Sequence, residues 1–335
     1  VTAAITRRPV LILPGDAPQD VWLAERRNGI GASDVAAIIG VSPYQGPLHV
    51  WLDKLGHLPP VDNPAMKWGR RFEDDVLEEF VTGHPELVVT PKPGSFAVPG
   101  ELWRRFSPDA IAEDDEGPQY VEIKTGMSYG DAEQWGEPGT DQIPLPYLCQ
   151  VTWGCDVYGC ARWRLAVLLL DQRDYREYEG RFDSELAAEL RTRAGAFWHV
   201  NVLGGIEPDA DGLGDTLDLL TKRYSATDRD AEVDLPAEAL MWAESYRVNH
   251  EALAEREAAK QEAGNLLRQR LAAAGAAVGK VGDLPVVTWR RPKPKTVTTF
   301  DEEAFAKAHP GLYAEFTTSQ IVQSAPTLRV KGVSW

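Results

Sequence analysis

The sequence has no long apolar run. Its longest, Leu165-Ala-Val-Leu-Leu-Leu170, is far short of the roughly 20 residues that a membrane-spanning helix needs, so no membrane span is expected. Thiols are scarce: Cys149, Cys155 and Cys160 are the 3 cysteines among 335 residues. An odd number cannot pair fully within one chain, and three are too few for a four-thiolate zinc or iron–sulfur site. They read as small buried filler, consistent with a cytoplasmic location. The 6 histidines (His49, His57, His84, His199, His250, His309) form no ligand-spaced cluster and no Ser-His-Asp order, which removes a zinc site and a serine hydrolase. The apolar run from Pro9 to Pro14 is too brief and proline-broken for a signal peptide. Positive charge is in deficit, 35 Lys+Arg against 51 Asp+Glu for a net −16, which speaks against a generic nucleic-acid binder. It does not exclude a metal-dependent phosphodiesterase, which needs carboxylates where the cation sits and takes its local positive charge from that cation.

At roughly 150 residues per domain, the length suggests about two domains. The pattern predicts an N-terminal extension over 1–20, a main domain over 21–205 and a C-terminal region over 206–335 with a long helix and a small β-containing unit. In the main domain, glycine-punctuated helices are expected from a Ser33 cap to Gly40 and from Leu48 to Leu55, then a longer helix over 63–82. Short β-like runs follow over 87–90, 95–98, 102–106 and 119–124. After a loop over 125–146 come a helix over 147–157, a strand over 162–170 and a closing helix over 184–202. Beyond residue 206 the expectations are a helix over 236–274, a strand over 286–289, an acidic helix over 301–309 and a final β-like run over 328–333. The basic stretch Arg290 to Lys295 reads either as a solvated linker or as a contact to DNA backbone.

The pattern with chemistry in it is Ser107-Pro108-Asp109 followed by Val121-Glu122-Ile123-Lys124. On a strand, Glu122 and Lys124 point to one face and Ile123 to the other. Asp109 on a neighbouring strand would add a second carboxylate beside Glu122. Two carboxylates and a backbone carbonyl, that of Ile123, are hard oxygen ligands suited to Mg²⁺. A nearby ammonium, Lys124, would orient the attacking water or stabilise charge on a phosphodiester.

These residues stand in wider company. Trp22-x-x-x-Arg26-x-x-Gly29-Ile30-Gly31-Ala32-Ser33-Asp34, Trp68-Gly69-x-x-x-Glu73, the Ser-Pro-Asp, the Glu-x-Lys and Tyr147-x-x-Gln150 occur in order. Over residues 20–205 the chain resembles the YqaJ-type viral recombinases, relatives of phage lambda exonuclease in the PD-(D/E)xK nuclease superfamily. The resemblance implies an α/β restriction-endonuclease-like core, a mixed central sheet flanked by helices, with a C-terminal helical and small β extension. It implies that Asp109 and Glu122 bind metal, that Lys124 serves the attacking water, and that Glu73 and Gln150 assist the catalytic site. Arg26 would face the scissile or terminal phosphate, with Arg27 as the substitute if the register slips by one. Ser33 and Tyr147 would join it on the DNA. Ala110 departs from the glycine that relatives often carry after the aspartate, and alanine is small enough to leave a metal room.

The implied activity is that of a Mg²⁺-dependent DNA exonuclease of a phage recombination system, with Mn²⁺ able to substitute. It would digest linear double-stranded DNA from its ends, 5′ to 3′, and leave 3′ single strands in the host cytoplasm. The implied partners are DNA ends, further copies in a ring-like homo-oligomer, and a single-strand annealing recombinase. Two rivals stand beside this reading: a structure-specific or restriction-like endonuclease on the same core, and a vestigial nuclease acting as a recombination scaffold.

Overall fold

The segment Arg162–Leu169 (β7) is almost entirely apolar after its first residues, the composition of a strand covered on both faces. In the computed structural model, which describes residues 8–59, 64–126, 135–223, 232–296, 298–318 and 328, it lies inside a five-stranded sheet. The other strands are Val88–Pro91 (β2), Ala110–Asp114 (β5), Gly117–Gly126 (β6) and Asp174–Arg181 (β8), in the order β2-β5-β6-β7-β8. Only β6 and β7 run parallel, so the sheet is mixed. Alternation along β6 divides the core. Val121 and Ile123 face the helix Pro64–Gly83 (α4), packing with its Val76, Leu77 and Phe80. Tyr120 points the other way, into a larger cluster with Trp153 of the helix Leu145–Tyr158 (α5). The protein is therefore mixed α/β, a central mixed sheet flanked by helices.

A second, three-stranded sheet is formed by Val10–Leu13 (β1), Ser95–Val98 (β3) and Glu101–Phe106 (β4) in the order β1-β3-β4. Helices Gln19–Arg26 (α1), Ala32–Ile38 (α2), Pro47–Lys54 (α3) and Ser184–Ala196 (α6) complete this part, α6 running on into a π-helical segment, Phe197–Leu203. Close approach of α5 to the sheet depends on Gly154: a Cβ there would lie 2.6 Å from Phe106 Cε2 and 2.8 Å from Tyr120 Cε1. Gly154→Ala is accordingly expected to destabilise the protein by about 1–3 kcal/mol, the usual cost of overpacking, measurable by urea denaturation.

The structure corrects several expectations. The N-terminal extension, for which the sequence pattern predicts no element, contains β1, paired with β3 through Val10↔Ala97 and Leu11↔Phe96. The cap of α2 is Gly31, not Ser33: the Gly31 N–H donates to Asp34 Oδ2 at 2.8 Å and Ser33 lies within the first turn. Strands β1, β5 and β8, and Val278–Val281 in the C-terminal region, are additions to the expected set. Contacts divide the chain into two compact units, the first of which, Val1–Arg223, includes Gly214–Arg223 (α7). Leu219 and Leu220 pack against the main core, and His49 bonds Asp215 at 2.9 Å.

The second unit, Tyr224–Trp335, contains Ala239–Ala274 (α8), a hairpin of Val278–Val281 (β9) and Leu284–Thr288 (β10), and two short helices, Glu302–Ala308 (α9) and Pro310–Phe316 (α10). Among the described residues of α8 only Leu271 is buried, and Trp242, Tyr246, Leu253 and Leu267 are exposed. The final β-like run over 328–333 and the start of the helix at Asn63 lie outside the described residues, apart from Leu328. No helix among the described residues is long and apolar enough to cross a membrane.

Candidate active site

Alternation on β6 places Glu122 and Lys124 on the α5 side of the sheet, and their side chains meet, the ammonium donating to Glu122 Oε1. Gln150 on α5 donates its amide to the same oxygen at 2.5 Å. The Lys124 ammonium also lies over the Tyr147 ring, 5.4 Å from its centroid. Asp109 sits immediately before β5, whose antiparallel pairing with β6 brings it alongside: its Oδ2 accepts from the Ile123 N–H at 2.8 Å. Five of the residues singled out in the sequence, Asp109, Glu122, Lys124, Tyr147 and Gln150, thus converge, together with the Ile123 backbone.

Their electrostatics are those of a crowded acidic site. Burial is the main cause that holds the Asp109 carboxyl well above the usual range, reinforced by Glu122 and Glu73 and opposed by Lys124. Burial likewise raises the Glu122 carboxyl, against the pull of Lys124 and Gln150. For Lys124, burial works against the charge but Glu122 and Asp109 outweigh it, so the ammonium is held more firmly than usual. The buried Glu122 and the partly buried Asp109, with the single Lys124 ammonium bonded to Glu122, form an incompletely neutralised set of hard oxygen donors, the chemistry that a divalent cation fits. Among the described residues no three His, Cys, Asp or Glu side chains form a metal-holding group.

A cleft of about 730 Å³ opens beside this cluster. Asp109, Glu73, Arg26 and Ser33 all line it, and Ser33 and Arg26 share a smaller recess with Gln150. Tyr147 lines another recess with Ser33 and Gln150. Glu73 is on α4, where Lys92 Nζ reaches it at 3.5 Å and Asp74 at 2.7 Å. Arg26 donates to Ser33 Oγ at 3.3 Å and to Asp34 Oδ1 at 3.1 Å. Arg27 lines the same cleft, so both registers of the arginine reach it. The placement of Ser33 depends on Gly29: a Cβ there would lie 2.3 Å from the Trp103 carbonyl, and its absence lets the Ile30 N–H donate to that carbonyl at 2.7 Å.

Three further residues of this region have no role assigned by the sequence patterns. Lys92 lies between Glu73 and Asp109, its own N–H donating to the Asp109 carbonyl at 2.8 Å. Asp34 and Lys54 form a buried pair at 2.6 Å behind Arg26. Burial opposes the charge on Asp34, but Lys54 and Arg26 outweigh it and hold the carboxyl at about 2. Asp34 stands inside the N-terminal motif, three residues after Gly31, the spacing of a capping box, and that signal could have found it.

Residues 21–161 match the model of the YqaJ-like viral recombinase domain. The chain is also similar to the uncharacterized protein YqaJ of Bacillus subtilis (strain 168), at 28% identity over 269 residues, covering 79% of this chain and 82% of that protein. Among solved structures, the alkaline exonuclease LHK-Exo from Laribacter hongkongensis is similar at 20% identity with a TM-score of 0.45, over 62% of this chain and 99% of that one. LHK-Exo in complex with dAMP gives 18% identity and a TM-score of 0.46, over 63% and 100%.

Proposed function

We propose that this protein is a Mg²⁺-dependent DNA exonuclease of a phage recombination system, built on a PD-(D/E)xK core. The observation that carries the reading is the convergence of Asp109, Glu122, Lys124 and Gln150 beside a cleft lined by Arg26 and Ser33. The match of residues 21–161 to a viral recombinase domain supports the setting. Asp109, Glu122 and the Ile123 carbonyl would hold the cation, with Mn²⁺ as a substitute for Mg²⁺. When bound, a divalent cation supplies a more acidic water and neutralises charge on the phosphodiester. Lys124, fixed between Glu122 and the Tyr147 ring, orients the attacking water and stabilises the charge that builds on phosphorus-bound oxygen. Gln150 holds Glu122 in place. Glu73 assists from α4, and Arg26 with Ser33 receives a phosphate.

In this reading the substrate is linear double-stranded DNA, digested from its ends 5′ to 3′ by a ring-like homo-oligomer in the cytoplasm, and the 3′ single strand passes to an annealing recombinase. A time course on linear and covalently closed duplex DNA, in Mg²⁺ and in EDTA, tests it. Wild type is expected to consume only the linear form and only with the metal, a 5′ label being released before a 3′ label. Lys124→Ala is expected to slow this by about 10²–10³-fold, the scale of losing one preorganised charge-stabilising group. Cutting of the closed circle would replace the reading by an endonuclease, and no cleavage with Mg²⁺ or Mn²⁺ would replace it by a scaffold.

A further inference from the structure

Between Asp283 and Asp301 the chain has no carboxylate, yet Arg290, Arg291, Lys293 and Lys295 put four cations within six residues of a protein whose net charge is −16. All four side chains are exposed, on backbone that is neither helix nor strand. Pro292 and Pro294 alternate with them. Each proline fixes its own φ and keeps the residue before it out of the helical region, so the segment favours an extended form that advances about 3.1 Å per residue. Extended backbone spreads the cations along a line instead of gathering them on one helical turn.

The aromatic residue that starts this line is anchored. Trp289 follows β10 directly, and its N–H donates to the Ala277 carbonyl at 2.8 Å, one rung beyond the Thr288↔Val278 pair. The hairpin is seated on the last turn of α8: Leu271 is buried, the Ala276 N–H donates to its carbonyl at 3.0 Å, and a Cβ on Gly279 would lie 2.7 Å from Val287 and 3.4 Å from Leu271. From this platform the Trp289 side chain stays 51% exposed. A half-exposed indole on fixed backbone, continued by spaced cations with no acid among them, has the two components of a single-strand binding track: a ring on which a base stacks and charges that follow phosphates. Stacking on the indole needs a base that is not already stacked in a duplex, which favours single-stranded over double-stranded ligand.

We propose that Trp289 and Arg290–Lys295 form a binding site for single-stranded DNA, separate from the cluster around Asp109 and Glu122. The inference rests on the reading of the protein as a nuclease that leaves single strands, and it assigns the C-terminal unit to holding that product.

The test is fluorescence anisotropy of labelled oligo-dT and of a hairpin-capped duplex with the full chain, in EDTA so that nothing is hydrolysed, across a salt series. For the variant with Arg290→Ala, Arg291→Ala, Lys293→Ala and Lys295→Ala, the slope of log affinity against log salt on oligo-dT is expected to shrink by about three, at ~0.7 for each phosphate no longer neutralised. Trp289→Ala is expected to weaken oligo-dT binding on the order of ten-fold with the slope unchanged, and Trp289→Phe to retain most of it. All these side chains are exposed, and unchanged circular dichroism checks that the fold survives. Unchanged affinity and slope in the four-fold variant would overturn the proposal, and so would equal losses on oligo-dT and capped duplex. Turnover of linear duplex by wild type in Mg²⁺ reads the nuclease proposal separately. Binding weakened in the variant without any wild-type turnover sinks only the nuclease, and turnover with unaltered binding sinks only this site.

Discussion

Asp109→Asn is expected to remove DNA cleavage and at the same time to make the metal-free protein more stable. The two effects have one origin. Asp109 is held against the Ile123 N–H and is destabilised by burial and by its neighbours Glu122 and Glu73. An asparagine keeps an oxygen for that N–H and removes the charge, so the repulsion disappears while the hydrogen bond remains. Losing the cation ligand proposed for Asp109 should cost several kcal/mol of transition-state stabilisation, or about 10³-fold in rate. Relief of the repulsion should raise the melting temperature by about 2–4 °C, the shift that ~1 kcal/mol produces in a domain of this size. Mg²⁺ is then expected to raise the melting temperature of the wild type, because a ligand that binds only the folded state stabilises it, and to leave the variant nearly unmoved. Thermal scans with and without Mg²⁺ would therefore change the order of the two proteins or narrow the gap between them. A variant less stable than wild type without metal would refute the electrostatic account, and a variant that still cuts would refute the role of Asp109.

The same residues show what a sequence can disclose. Glu122 and Lys124 lie two apart on a strand, and period-two alternation is a local property, so their common face is readable without any tertiary information. Gly40 and Gly56 follow the ends of α2 and α3 with positive φ, at the positions where the sequence pattern stops the helices. Strand β8 is not readable for the opposite reason. Asp174–Arg181 is charged or polar along most of its length, only Tyr178 is fully buried, and what keeps the segment extended is its pairing with β7 at the sheet's edge. Strand β1 likewise exists through β3, more than eighty residues away in sequence. The Lys92–Glu73 and Lys54–Asp34 pairs join separate elements with no periodicity to announce them. A lone Lys in a helix, such as Lys54 in the last turn of α3, looks like an ordinary surface cation until the partner beneath it is known.

That hidden pair supports the last expectation: Asp34→Ala is predicted to destabilise the protein by about 3–5 kcal/mol, as removal of one partner of a buried ion pair does. The Lys54 side chain is 0% exposed, donates to the Arg26 carbonyl at 3.1 Å and lies 2.6 Å from Asp34, so alanine would leave an ammonium buried with no counter-charge. The Gly31 N–H at the start of α2 would lose its acceptor as well. Because the folded Asp34 carboxyl is held at about 2, below its unfolded value near 3.9, its contribution is present above about pH 4 and is lost as the pH falls toward 2. Urea denaturation of wild type should show that acid loss, and a variant carrying both Asp34→Ala and Lys54→Met should lack it while recovering much of the neutral-pH stability. The double variant also separates stability from function. Asp34 is the carboxylate that fixes the Arg26 guanidinium beside Ser33, so a refolded protein without it should still bind and cut linear DNA poorly, with the apparent KM raised more than kcat is lowered. If the double variant is both stable and fully active, Asp34 serves only the fold, and Arg26 needs no positioning partner.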